Sequence, residues 1–345
     1  MRNGIFHLVT GTAVAVALLA SPASAQKKYD TGATDTEIKI GQTVPFSGPA
    51  SAYAGIGKTQ AAYLKMINEQ GGINGRKLNL IQYDDAYSPP KAVEQVRKLV
   101  EGDEVLFTFQ IIGTPSNAAV QKYLNAKKVP QLLASTGASR FSDPQNAPWT
   151  IAYNPNYQSE ARIYAKYILK NHPDAKIGIL FQNDDLGRDY VTGLKAGLGD
   201  KAATMIVGET SYELSDPTID SQIVKLKSLG ADLLYDASTP KFAAQAIKKV
   251  ADLGWKPIHI LDINAGPAEL LVHILRQCGD DLTRENIMRQ ATGLKNYVGS
   301  LALPGMSAHT SPTDYRINKQ MQMMKFDGER WQLFGPIIED TSVGG

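Results

Sequence analysis

The feature that most constrains this chain is an alternation. Short apolar runs recur along it with helical patterns between them. The first set of runs is Ile38–Val44, Leu78–Tyr83, Val105–Ile112 and Val129–Ser135. The second set is Lys176–Gln182, Thr204–Glu209, Ala231–Ala237 and Pro257–Ile263. Successive runs of the second set start about 27 residues apart, the length of a strand, a helix and two short loops. Buried parallel strands read as continuous apolar runs, because helices cover both of their faces. Two such blocks predict an α/β chain with two lobes of similar design.

Helices are expected at Gly57–Gln70, at Ser88–Glu101 with Ser88 as N-cap, and from near Ser116. In the second, Val93, Val96, Leu99 and Val100 share one face at helical spacing. The second block carries helices at Gly187–Gly197, Ile219–Leu229 and Pro240–Leu253. Between the blocks, FSDPQNAPWTIAYNPNYQ (141–158) is rich in proline and asparagine and is expected to be a linker. After Ala265 the pattern changes. Two helices, Pro267–Gly279 and Thr283–Leu294, precede a hairpin of Gln320–Phe326 and Trp331–Phe334 around Asp327-Gly328.

The N-terminus reads as a secretory signal peptide, with Arg2, an apolar stretch from Leu8 to Ala20, and Ala23-Ser24-Ala25 before the cut. Residue 26 is Gln rather than Cys, so no lipid anchor is expected. The exported chain has room for two domains and a single cysteine, Cys278, so its core is expected to stand without disulfides. A formal net charge of +2 with no basic block argues against nucleic acid as a partner.

The search for chemistry is mostly negative. Gly57-Lys58-Thr59 suggests a phosphate loop, but the glycine that motif needs at position 52 is Ala. Asp236, at a strand end, is too generic to mark a metal site. The histidines are scattered, with no pair at helical spacing, so neither a metal nor a cofactor is expected. His259 reads as a packed or edge histidine, and Cys278 as a small half-buried residue. Asp84-Asp85 and Asp184-Asp185 read first as loop or helix-capping residues.

In open α/β sheets ligands bind outside the carboxyl ends of the strands. The loops there are Ser47–Gly57, Gly113–Ser116 and Thr136–Ser139 in the first block. In the second they are Asp184–Leu186, Ser238-Thr239 and Asp262–Asn264. Facing one another, these loops would form a cleft.

The run VPFSGPASAYAGIGKTQAAYLKMINEQGGINGRKLNLIQYDD (44–85) strongly resembles the periplasmic substrate-binding proteins of the branched-chain amino acid ABC transporter family. IGTPSNAAVQKYL (112–124), VPQLLASTGAS (129–139), NDDLGRDYVTGLKAGL (183–198) and SPTDYRINKQMQMMKFDGERW (311–331) extend the match over nearly all of the exported chain. The resemblance implies a type I binding-protein fold, two Rossmann-like lobes joined by hinge strands. The first lobe would span 26–148 with a return segment 266–318, and the second 149–265 with 319–345. It implies a periplasmic monomer without catalysis that hands its ligand to a membrane permease. Thr114, Thr136 and Ala138, with Ser116 and Gly137 beside them, match the positions that hold a ligand carboxylate. Tyr53 matches an aromatic that covers the ligand's side chain.

Two departures from the family bear on function. Its amino acid binders carry a tyrosine and a carboxylate that fix the ammonium, and the matching positions here are Leu186 and Asn264. Asp185 and Asp262 stand close by, with Thr239 on a neighbouring loop. An aromatic or aliphatic carboxylate without an amine would suit such a pocket as well as an amino acid. The family also carries a further segment between ILDINA (260–265) and GPAELLVHILRQCGD (266–280), so the second lobe is expected to be shortened. Alternatives are a ligand sensor that presents its carboxylate to a membrane receptor, a deletion variant without function, and an exported α/β enzyme.

Overall fold

The computed structural model describes residues 27–261, 268–300 and 302–340. The expected signal peptide, Asp262, Asn264 and the join at Gly266-Pro267 lie outside them. The described chain is built on two parallel sheets.

The first part runs β1 (Lys28–Tyr29), β2 (Glu37–Val44), α1 (Ala54–Glu69), β3 (Lys77–Asp84), α2 (Pro89–Arg97), β4 (Phe107–Phe109), α3 (Thr114–Ala126), β5 (Gln131–Ala134) and β6 (Thr150–Ala152). Its five-stranded sheet has the order β3-β2-β4-β5-β6 and is parallel throughout. Ile38, Ile40, Phe107, Phe109, Leu132 and Ile151 from this sheet form one buried cluster with Leu64 and Ile67 of α1. A separate cluster of Ala92, Val96, Ile111, Val120 and Leu124 joins α2 to α3. β4 is shorter than its apolar run suggests. Gln110, just after it, has a left-handed backbone (φ +49°) that ends regular strand geometry.

The second part runs α4 (Tyr157–Asn171), β7 (Ile177–Gln182), α5 (Asp185–Leu198), α6 (Ala202–Met205), β8 (Ile206–Tyr212), α7 (Asp220–Ser228), β9 (Leu233–Ala237), α8 (Pro240–Asp252) and β10 (Ile258–Leu261). Among the described residues its sheet has four strands, ordered β10-β9-β7-β8 and all parallel. Both faces of β9 are buried, in keeping with its run of Leu233, Leu234 and Tyr235. Leu233, Tyr235 and Ala237 pack with α4 and α5, whereas Leu234 packs with α7 and α8.

The segment expected to be a linker is largely structured. β6 extends the first sheet to Ala152, and α4 begins at Tyr157. Asn156 caps α4, its side chain accepting from the amides of Gln158 and Ser159. The prolines lie outside the regular elements, and only 153–156 makes the crossing. α4 was not apparent as a separate helix, although Ala161, Tyr164, Ala165 and Ile168 are buried on one of its faces.

The remainder is α9 (Ala268–Cys278), β11 (Asp281–Leu282), α10 (Arg284–Ala291), β12 (Gln320–Phe326) and β13 (Trp331–Glu339). α9 and α10 bury Leu271, Leu275 and Ile287 in the first core. β11 pairs with β1. Arg76, 2% exposed, ties this corner together by donating to Asp280 at 2.6 Å and to the Thr34 carbonyl at 3.0 Å. β12 and β13 form the expected hairpin, and Met321 and Met323 lie against the second core. Where the chain passes between sheets, Asn318 donates to the Tyr153 carbonyl at 2.6 Å. Asp340, nearly buried, pairs with Arg162 of α4 at 2.7 Å.

Asn156 both ends the crossing and starts α4. Asn156→Ala is expected to cost about 1 kcal/mol in chemical denaturation. An unchanged midpoint would show that the cap does not hold the crossing.

Candidate functional site

Both sheets reverse their strand order once. In the first, the connections from β2 and β4 leave in opposite directions, and in the second, those from β7 and β9 do. A doubly wound sheet opens a crevice at that reversal, at the carboxyl ends of the strands. The two crevices meet in one cavity of about 290 Å³. Tyr53, Ile56, Tyr87, Gly113 and Thr114 line it from the first sheet's side. Tyr157, Leu186, Tyr190, Ser238, Pro240 and Leu261 line it from the second's.

The first wall is held by strain and close approach. Tyr87 has φ +59°, uncommon for a residue with a side chain, and Ala86 before it has φ +50°. Asp85 anchors the turn. One of its oxygens accepts from the Tyr87 amide and the other from the Thr43 hydroxyl, each at 2.9 Å. The Tyr87 ring packs against Gly113, where a Cβ would sit 2.1 Å from a ring carbon. Gly113 also has φ +97°, so glycine is required there twice over. Burial pushes the Tyr87 hydroxyl well above its ordinary range and raises the Asp85 carboxyl.

Gly113 is the N-cap of α3 and offers no side chain to its amides. The first turn of a helix carries unsatisfied N–H groups and the positive end of its dipole, which suit an anion. Thr114 stands at that end, its hydroxyl 2.8 Å from the Thr136 hydroxyl. The opposing α5 is already capped. Asp184 accepts from the amides of Leu186 at 2.9 Å and Gly187 at 3.4 Å. The start of α3 therefore favours an anion more than the start of α5 does.

Of the residues singled out from sequence, Tyr53 and Thr114 line the cavity. Thr136, Gly137 and Ala138 lie one layer behind. Thr136 Oγ1 accepts from the Ala138 amide at 3.1 Å, and the Gly137 carbonyl accepts from the Tyr157 amide at 2.8 Å. Ser116 is fully buried and does not line the cavity. Thr239 starts α8, its amide donating to the Tyr212 hydroxyl at 2.9 Å. Asp185 turns away into a neighbouring, more open groove of about 550 Å³. There it meets Arg140 at 3.0 Å and Arg188 at 3.1 Å. Burial opposes its ionisation, but these two guanidinium groups hold its carboxyl below the ordinary range. Asp236, the generic strand-end carboxylate, pairs with His259 at 3.0 Å. Tyr87, Tyr157 and Tyr190 were not anticipated at the site.

The profile of the family described as "Periplasmic binding protein" matches residues 37–268, more than half of the chain, and the chain belongs to that family. It is 27% identical over 220 residues to a Leu/Ile/Val-binding protein homolog 3 of Brucella melitensis, covering 63% of this chain and 59% of the relative. It is 23% identical over 272 residues to a homolog 7 of Brucella suis, covering 75% and 64%. The matches thus span less than two thirds of these relatives' own length. Among solved structures, the fold is similar to a fatty acid ABC transporter substrate-binding protein from Thermomonospora curvata (TM-score 0.77, 18% identity, 91% and 95% coverage). It is also similar to a branched chain amino acid ABC transporter protein from Thermus thermophilus with bound valine (0.74, 13%, 89% and 97%). A third is a solute binding protein from Rhodopseudomonas palustris in complex with 3,4-dihydroxy benzoic acid (0.72, 16%, 89% and 98%). These likenesses establish the type I binding-protein fold. Among the described residues no helix is long and apolar enough to cross a membrane.

Burial raises the Asp184 carboxyl above its ordinary value of 3.8. A carboxyl so raised stabilises the fold fully below that value, and the contribution is lost as pH rises through the raised one. Asn caps a helix as well as Asp does. Asp184→Asn is therefore expected to match the wild type in urea denaturation near pH 4 and to gain on it toward pH 7. An equal difference at both pH values would contradict the assignment.

Proposed function

We propose that this protein is the soluble, periplasmic binding component of an importer, without catalysis of its own. It takes a branched-chain amino acid or a related small carboxylate, aromatic acids included, into the cavity between its lobes. The observation that carries the reading is that one cavity receives the switch points of both sheets and the uncapped start of α3. In this reading the carboxylate rests on the α3 amides and Thr114, which Thr136 and Ala138 hold from behind. Tyr53 and Tyr87 cover one side of the ligand's body, and Tyr157, Leu186 and Tyr190 the other. The ligand stabilises the closed arrangement because only there does it touch both walls. The closed, loaded protein then docks on a membrane permease as a monomer.

Thermal unfolding against a panel of leucine, isoleucine, valine, phenylalanine, benzoate and short aliphatic acids tests this directly. An acid at a hundredfold excess over its Kd adds about 2.7 kcal/mol of stability and raises the midpoint by a few degrees. Thr114→Val should weaken that acid roughly tenfold or more, the usual scale for a hydrogen bond to a charged group. A flat response across the panel, or binding indifferent to Thr114, would overturn the reading.

A further inference from the structure

The tyrosine wall on the second-lobe side is tied to a buried acid. Glu160, on α4, is fully buried and does not line the cavity. Its Oε2 accepts the Tyr190 hydroxyl at 2.8 Å and its Oε1 accepts the Tyr164 hydroxyl at 2.9 Å. Tyr190, 1% exposed, stacks on Tyr157 with ring centroids 4.6 Å apart and planes 26° apart. Tyr235 meets Tyr190 edge-on at 6.2 Å and Tyr164 at 5.9 Å. Only Tyr157 and Tyr190 of this group reach the cavity.

A buried carboxyl group is costly unless hydrogen-bonded, and apolar residues of similar volume often stabilise a core as well or better. What Glu160 adds is direction. A phenol held at its hydroxyl cannot swing about its Cβ, and the stack transmits that restraint to Tyr157. The result is a flat wall of fixed orientation. Flat rings gain from offset stacking on such a wall, and a branched aliphatic chain does not.

We propose that Glu160 is a positioning residue that sets the cavity's ligand preference. It locks Tyr190, and through it Tyr157, into a wall that takes a ring-bearing carboxylate over a branched aliphatic one. The proposal rests on the reading of the cavity as the ligand site.

The test is calorimetric titration of the whole protein with benzoate and with 4-methylpentanoate, which share a carboxylate and differ in the body. The wild type is expected to favour benzoate. Glu160→Met removes the acceptor and Tyr190→Phe the donor. Each should cut the benzoate preference roughly three- to tenfold, the range of one aromatic contact. The double variant should lose no more than either single one, because both break the same bond. Glu160→Gln, which keeps an acceptor, should retain the preference. So should Tyr164→Phe, which frees the other oxygen of Glu160 without touching a cavity ring. Should Glu160→Met fail to fold, Tyr190→Phe against Tyr164→Phe carries the comparison. An unchanged ratio in Tyr190→Phe, or a wild type that favours the aliphatic acid, overturns the proposal and leaves the ligand site standing. Binding of neither acid overturns the proposal, and a flat thermal response to the amino acids as well overturns the reading on which it rests.

Discussion

A parallel sheet has a direction, and the rest of this structure depends on it. Every strand ends at the same edge, and every following helix begins there with unsatisfied amides. One such edge is a weak anion site open to water. Two set face to face leave less water between them, and the attraction of those amides for an anion is screened less. The crossings at 153–156 and near Asn318 hold the two edges opposed.

The chain treats its helix starts unequally. α5 is capped by its own Asp184, and α3 by a glycine with nothing to give. That difference gives the cavity a polarity. The glycine has a second purpose, because its missing Cβ lets the Tyr87 ring lie on the backbone. Asp85 stabilises the left-handed turn that carries Tyr87 there. Buried acids recur behind both walls, Asp85 in the turn after β3, Asp184 at the start of α5 and Glu160 under the tyrosines, and each is satisfied by donors that fix a cavity residue or a cap. The reactive-looking groups are spent on structure. Asp185 is bound by two arginines and Asp236 by His259.

Much of the fold was legible because buried parallel strands leave apolar runs such as Ile177–Phe181, and the helices between them keep one apolar face. α4 was obscured because its lead-in carries the prolines and asparagines of a linker. Its apolar face uses small or amphipathic residues, Ala161, Tyr164 and Ala165. Loop position alone pointed to the segments after β2 and β4, which must reach the crevice, and the family resemblance picked out Tyr53 and Thr114 within them. Neither pointed to Tyr87, Tyr157 or Tyr190. Whether a tyrosine faces a core or a cavity depends on what the opposite lobe places against it, and no residue type announces the left-handed backbone of Tyr87. The neighbours Asp184 and Asp185 show the same limit. A helix start one residue later would exchange the cap and the arginine partner.

The central claim is that the two lobes close on a small carboxylate. Cys278 is the only cysteine and is buried, its thiol pushed up to about 12 by burial, so introduced cysteines can be labelled selectively. Spin labels at Lys58→Cys on α1 and Ser221→Cys on α7, both exposed, report the distance between lobes. With an acid that stabilises the fold, the distance distribution should shorten and narrow. An identical distribution with and without saturating acid would contradict closure, and with it the account of the cavity as a binding cleft.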